Sequence, residues 1–302
     1  MYSPSQTKTY SRCQYKWFLH KILGVQSSYV GKRDLAAAVG TAVGAAVQAS
    51  VRGTFTESEL IQQAQARYEH EVITKCGTTK SVLDSEEAVV YPTLIAPMVK
   101  AFLKAQPIPK DWVVTHAESP ISDSYDAYVD LAGTCSRGLW VADVKCRMNE
   151  KKWFMNNSVL KYQFDPQLSQ YCREWKKRPG NEGIPLEFYR IIYIVGSPEA
   201  VCIYQDFEID WEYMRWREIS DERTWIDMSM KSNVLDVYAM TYGGYSKIPK
   251  DLVYQTVPMA SDHMEGFYKC DMWDACLTYA GNVAQVPDLI SIERKLPDAP
   301  SS

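Results

Sequence analysis

Apolar and polar positions change their period about a third of the way along the chain. Ser5 can cap a helix running towards Leu23, and LAAAVGTAVGAAVQASV (35–51) is an alanine-rich stretch that tolerates two glycines in a helix. Further helical patterns cover Glu57 to Lys75 and Ser85 to Ala105, the latter with a bend expected at Pro97. Then the spacing shortens. WVVTHAE (112–118), AYVDLAG (127–133) and LWVADVK (139–145) are rich in valine, tyrosine and tryptophan and predict three strands, the last two joined by a turn over Thr134 to Gly138. A polar, basic loop (Arg147 to Ser158) leads to Asp165-Pro166, an N-cap followed by proline at the first helical position, which opens the helix PQLSQYCREWKKR (166–178). EFYRIIYIV (187–195) and AVCIYQDFEI (200–209) predict two more strands, and Trp211 to Met230 another helix. The last thirty residues show no regular pattern.

This order predicts an α/β (α+β) fold: a central mixed sheet flanked by helices, with a helical N-terminal region and a C-terminal segment folding back. One domain over 1–302 is expected, with a helical region at about 1–110, a core at about 111–207, and a C-terminal helix and tail over 208–302. With 46% hydrophobic and 23% charged residues, the chain is neither disordered, collagenous nor a coiled coil. No run of eighteen uncharged apolar residues occurs, and the start, MYSPSQTKTYSRCQYKW, lacks the apolar run of a signal peptide. A cytoplasmic protein without membrane contact is expected. Its eight cysteines are too thinly spread for a disulfide scaffold and read as free thiols, or in part as metal ligands.

The net charge of −4 argues against a nonspecific polycation, but the charge is unevenly placed. Lys145 to Arg178 carries nine basic residues against three acidic ones, and Asp206 to Ser229 reverses this with eight acidic to three basic. A solvated helix face explains either run by itself. The first run gains meaning from what precedes it. Asp143 and Lys145 stand two apart in a strand and so project from one face. If the hairpin turns on Ser136-Arg137, opposed residue numbers sum to 273, and Asp130 lies across from Asp143 with Cβ atoms about 5 Å apart. Two acids and a lysine then converge, an arrangement best explained by a hard cation between the carboxylates. A one-residue slip would send Asp130 to the opposite face. On the following helix, Gln167 and Tyr171 are four apart and share a face.

Asp130, then Asp143-Val144-Lys145, then Gln167-x-x-x-Tyr171 resembles the PD-(D/E)XK nuclease superfamily, in particular its RecB-like branch, which includes the RecB and AddB nuclease domains and the CRISPR-associated adaptation nucleases. The opening SPSQTKTYSRCQYKWFLHKILGV is similar to that branch's N-terminal segment, and the element order matches the α-β-β-β-α-β core. The resemblance implies a Mg2+- or Mn2+-dependent deoxyribonuclease, an exonuclease or flap-trimming enzyme for DNA ends in recombination, repair or phage replication. It assigns catalytic roles to Asp130, Asp143, Lys145, Gln167 and Tyr171, and metal ligation to Asp130, Asp143 and the Val144 carbonyl. DNA contacts fall to Arg147, Lys151, Lys152, Trp153, Lys161 and Arg173, although Trp153 is equally explained as an aromatic loop anchor.

The chain departs from the family pattern twice. Members usually carry a metal-binding histidine in G-x-x-x-H on the helix before the sheet. Here Gly44 leads to Gln48, a weaker ligand for manganese or a plain packing residue. This motivates an alternative: a catalytically weakened module that binds DNA or a protein without cutting. Several relatives also hold an iron–sulfur cluster on four cysteines. Cys13, Cys270 and Cys276 fit three of these, but Phe267 occupies the fourth position, so a cluster-free clasp of Cys13 near Cys270 and Cys276 is expected.

Overall fold

The computed structural model describes residues 4–23, 25–27, 32–76, 84–120, 128–150, 155–160, 162–257 and 289–291. Its contacts gather into two compact units, one built on Val30–Arg215 and the other on Tyr2–Tyr29 with Trp216–Ser302. The chain begins with α1 (Pro4–Arg12), α2 (Gln14–Trp17), a π-helical turn over Phe18–Ile22, and β1 (Val25–Ser27). The single helix expected here is broken at Cys13, whose backbone is extended and whose Sγ accepts the Lys16 amide at 3.3 Å, capping α2. Next come α3 (Lys32–Arg52), α4 (Glu57–Cys76) and α5 (Glu86–Ala105). Thr56 and Glu59 cap α4 reciprocally, the Thr56 amide donating to Glu59 Oε2 at 2.7 Å and the Glu59 amide to Thr56 Oγ1 at 3.3 Å. Ser85 caps α5, which continues through both Pro92 and Pro97.

The core follows as β2 (Val113–Pro120), β3 (Tyr128–Cys135), β4 (Gly138–Asn149), α6 (Met155–Leu160), α7 (Pro166–Lys177), β5 (Leu186–Ser197) and β6 (Val201–Glu208). The chain then runs through α8 (Trp211–Tyr242), a 3-10 turn over Tyr245–Lys247, α9 (Lys250–Thr256) and β7 (Leu289–Ser291). Two elements exceed the sequence pattern. Helix α6 occupies part of the expected loop, anchored by buried Met155 and Val159. Helix α8 continues well past Met230 because Leu235 and Ala239 are buried against Tyr15, Trp17 and Phe18 in the second unit's core. Trp225 Nε1 donates to Thr7 Oγ1 at 2.9 Å, and Lys231 Nζ to Gln14 Oε1 at 2.6 Å, in the same unit. There β7 pairs antiparallel with β1, Val25 opposite Ser291, so the C-terminal segment does fold back on the N-terminal one.

In the first unit the five strands lie in the order β2-β3-β4-β5-β6, and β4–β5 is the parallel pair. The mixed α/β architecture expected from the sequence is therefore present. The β3–β4 hairpin turns on Ser136-Arg137, with Cys135 opposite Gly138 and Leu131 opposite Ala142, pairs that sum to 273. Gly138 (φ 109°) takes a conformation that L side chains rarely adopt, and a Cβ on Gly133 would sit 1.8 Å from the Val113 carbonyl oxygen. One face of the sheet is covered by α3, α4 and α5, where Val39, Ala42, Val43 and Ala46 meet Trp140, Ala142 and Ile192. The other face carries α6 and α7, with Val159, Leu168, Tyr171 and Cys172 against Val141, Tyr189, Ile191 and Tyr193. Contrary to the sequence reading, residues 34–52 and 86–105 are long and apolar enough to cross a membrane by length and composition alone. Val39, Ala42, Val43, Ala46 and Val47 of the first and Ile95, Met98, Val99 and Phe102 of the second are buried in this core.

Candidate active site

The site forms where the sheet forks. The β3–β4 ladder ends at Leu131 and Ala142, whereas β4 continues beside β5 to Asn149 opposite Ser197. Asp130 and Asp143 are the first residues past the last β3–β4 pair, and they face each other across the opening crotch. Ala132 and Val141 pack towards α7, so Asp130 and Asp143, each two residues on, share that face. The Val144 amide donates to Asp130 Oδ2 at 2.8 Å. Because the N–H and C=O of one strand residue point the same way, the Val144 carbonyl also faces the fork.

Electrostatics bind these groups into one unit. Burial and the neighbouring Asp143 charge push Asp130 up to about 7, against the pull of the Val144 amide and Lys145. Burial likewise raises Asp143, which is 2% exposed, despite its Lys145 partner. The two carboxyl groups lie within hydrogen-bonding reach of each other. Lys145 Nζ is 2.6 Å from Asp143 Oδ2. Burial opposes the ammonium charge, but Asp143, with Asp130 and Asp165 behind it, outweighs burial and lifts Lys145 above its usual pKa.

Helix α7 completes the wall. Asp165 caps it, Oδ1 accepting the Gln167 amide at 2.8 Å, and proline at the next position removes a donor the helix could not use. The cap aligns Gln167 and Tyr171 on the face towards the acids, and Gln167 Nε2 donates to the Tyr171 hydroxyl. Burial raises Tyr171 to about 12, and Asp130 and Asp143 add to the shift, so the phenol stays protonated as a donor. The structure thus brings Asp130, Asp143, Lys145, Gln167 and Tyr171 to one fork.

Other candidates fare differently. Gln48 is buried on α3, whose apolar stripe covers the opposite face, and no described contact joins it to the acids. Arg147, exposed and on the same face as Lys145, is held by the phenols of Tyr162 and Tyr193. Arg173 corrects the sequence reading. It is 4% exposed and its guanidinium donates to the Met214 carbonyl at 3.4 Å, so its charge points inward to tie down the start of α8. Lys151, Lys152, Trp153, Lys161, Cys270 and Cys276 lie outside the described residues. Cys13 is buried at 3% exposure as a helix cap.

Two acids were missed by the sequence reading. Asp165, read only as a cap, acts electrostatically on Asp143 and Lys145. Glu118 acts on Asp130; the β2–β3 pairs flanking it, Ala117 with Leu131 and Ser119 with Val129, both sum to 248, which sets it opposite Asp130. Applying the sum rule to β2 as well as β4 finds Glu118 once the length of the intervening loop is known.

Among the described residues no three metal-binding side chains gather into a cluster. Magnesium does not need three, since it is held by one or two carboxylates with waters and phosphate oxygens. Asp143 Oδ2 is buried with an ion-pair partner but no aligned hydrogen bond, and two adjacent acids hold a proton they would release to a cation. The donor set fits a divalent metal. A model of the PD-(D/E)XK nuclease superfamily matches residues 1–191, well over half of the chain. The chain belongs to this superfamily. No curated protein matches it. The matched span includes the whole fork and α7, and nucleases of this superfamily use divalent metals such as Mg2+ or Mn2+ and act on DNA.

Proposed function

We propose that the protein is a Mg2+-dependent exodeoxyribonuclease of the RecB-like branch, trimming DNA ends inside a cell during recombination, repair or phage replication. The observation that carries the reading is the approach of Asp130 and Asp143 to each other just past the last β3–β4 pair, with Lys145 fixed on Asp143 at 2.6 Å. The order Asp130, Asp143-x-Lys145, Gln167-x-x-x-Tyr171 supports the branch, and the basic excess from Lys145 to Arg178 supports DNA as the ligand.

Asp130, Asp143 and the Val144 carbonyl would hold the cation. Once bound, it supplies a nucleophilic water at neutral pH and offsets charge on the attacked phosphate. Lys145, kept charged by the acids around it, is an orienting and charge-stabilising group for the phosphate oxygens rather than a proton acceptor. Tyr171, protonated and oriented by Gln167, donates to the strand or to the attacking water. Asp143→Ala and Lys145→Ala should each abolish metal-dependent degradation of linear DNA with folding intact. Undiminished cleavage by either variant would sink the assignment.

Gln48 in place of histidine favours a second reading, a module that binds DNA or a partner without cutting. Incubation with linear single- and double-stranded DNA in Mg2+, Mn2+ and EDTA separates the two: metal-dependent cleavage supports the nuclease, and a gel shift without cleavage supports the binding module. A closed circular substrate tells end-dependent from internal cutting.

A further inference from the structure

Helix α8 is apolar on two opposite sides. Its inner side, with Met228, Leu235 and Ala239, is buried in the second unit's core. On its outer side Trp216, Ile219, Ile226, Met230, Val237 and Met240 are 45–63% exposed. Together with the exposed Arg223 and Asn233, they recur at alternating intervals of three and four residues from 216 to 240. That stretch is about 37 Å of helix. A mean spacing of 3.5 is the period of a seam about which two helices coil, so the surface fits another helix. An apolar stripe of this length on a protein surface marks an interaction site. Between Asp206 and Ser229 acidic residues outnumber basic ones eight to three, a charge that repels DNA and anionic bilayers.

The stripe is complementary to itself. When it is laid antiparallel on a second copy so that facing residue numbers add to 456, Trp216 meets the partner's Met240 and Ile219 meets the partner's Val237. Ile226 meets the partner's Met230. Arg223 then faces the partner's Asn233, whose amide oxygen can accept from the guanidinium, so both polar positions fall in one layer. Glu222 and Asp236 border the seam and answer the arginine's charge. Sliding one copy by a heptad sets Arg223 against Ile226 or Met240, and a parallel pair in register sets Arg223 on Arg223. A polar residue in such a seam fixes register because every other alignment buries it badly.

We infer that the protein forms a two-fold dimer through an antiparallel seam between the Trp216–Met240 stretches of two copies of α8. The same patch serves both copies, as a two-fold interface requires. The dimer does not depend on the nuclease reading. With its two flanking rows the seam offers about fifteen residues a side, below the 20–30 of a standard interface, which sets the dissociation constant on the order of 10 µM.

Sedimentation velocity of the full chain from about 1 to about 100 µM should show the 34.5 kDa monomer converting to a species of twice that mass. Ile226 is 61% exposed in a single copy, so Ile226→Asp leaves the fold intact, which thermal melting by circular dichroism checks. It should weaken dimerisation about a hundredfold, because each chain then places a carboxylate in a central apolar layer. Asn233→Asp should strengthen the dimer about threefold by facing Arg223; in a parallel dimer it would set two carboxylates together and weaken it. Oxidising a mixture of Ile219→Cys and Val237→Cys proteins should join positions 219 and 237 of different chains, as mapped by peptide mass spectrometry. This cross-link needs no seam-breaking variant. Wild type that stays monomeric at about 100 µM overturns the inference and leaves the stripe to another segment of the chain or another protein. A folded Ile226→Asp variant that dimerises like wild type, or cross-links joining 219 only to 219, overturns it equally.

Discussion

Replacing Asp130 by Asn should stabilise the metal-free protein above neutral pH while disabling it as a nuclease. Burial and Asp143 raise the Asp130 pKa to about 7, whereas an unfolded chain ionises it near 3.9. Between those values the folded state keeps a proton that the unfolded state has lost, so the Asp130 contribution to wild-type stability falls as pH climbs from about 4 to about 7 and levels off above. The shift of about three units, at about 1.4 kcal/mol each, sets the loss at about 4 kcal/mol by pH 8. Asparagine removes it. Its amide oxygen still accepts from Val144, and its N–H can point at Asp143 where the carboxyl proton lay. Urea denaturation in EDTA should find Asp130→Asn and wild type equal near pH 4 and the variant more stable, by up to about 4 kcal/mol, at pH 8. Added Mg2+ should raise the wild-type melting temperature and close the gap, because the cation binds the folded carboxylates. A gap of the same size at pH 4 and pH 8, or no gap at either, would refute the proton-holding acid pair.

The remaining predictions concern the frame around the fork. Arg190 is 5% exposed, pairs with Asp206 through Nε at 2.6 Å and Nη2 at 2.8 Å, and lies 4.2 Å from the Trp112 ring centroid and 4.7 Å from that of Tyr204. Arg190→Ala should cost about 3–5 kcal/mol in urea denaturation, since it breaks the pair and empties the space between the rings. Gly133→Ala should cost more than about 3 kcal/mol or prevent folding, because its Cβ would collide with the Val113 carbonyl and part β2 from β3, and circular dichroism and solubility would register it. Thiol titration of the native protein should leave Cys146 and Cys172 unmodified at pH 8, as burial holds both near 12.

What the sequence by itself determined about this protein is what short-range spacing controls. A two-residue turn at Ser136-Arg137 sets the numbers that must face each other, and from that follows Asp130 across from Asp143. Asp165-Pro166 starts a helix at a known residue, and a spacing of four puts Gln167 under Tyr171. These relations need only bond geometry and hydrogen-bond periodicity over a few residues. The tertiary structure decided whatever depends on partners far away in the chain. Arg173 reads as a surface cation, yet packing turns it inward to the Met214 carbonyl, 41 residues on. Cys13 ends one helix and caps another, although nothing around it carries a helix-stop signal. Glu118 reaches Asp130 only through the β2–β3 register, which the loop between them leaves open. The raised pKa of the acids comes from burial, and burial is a property of the assembled layers, to which helices on both faces and four neighbouring strands contribute.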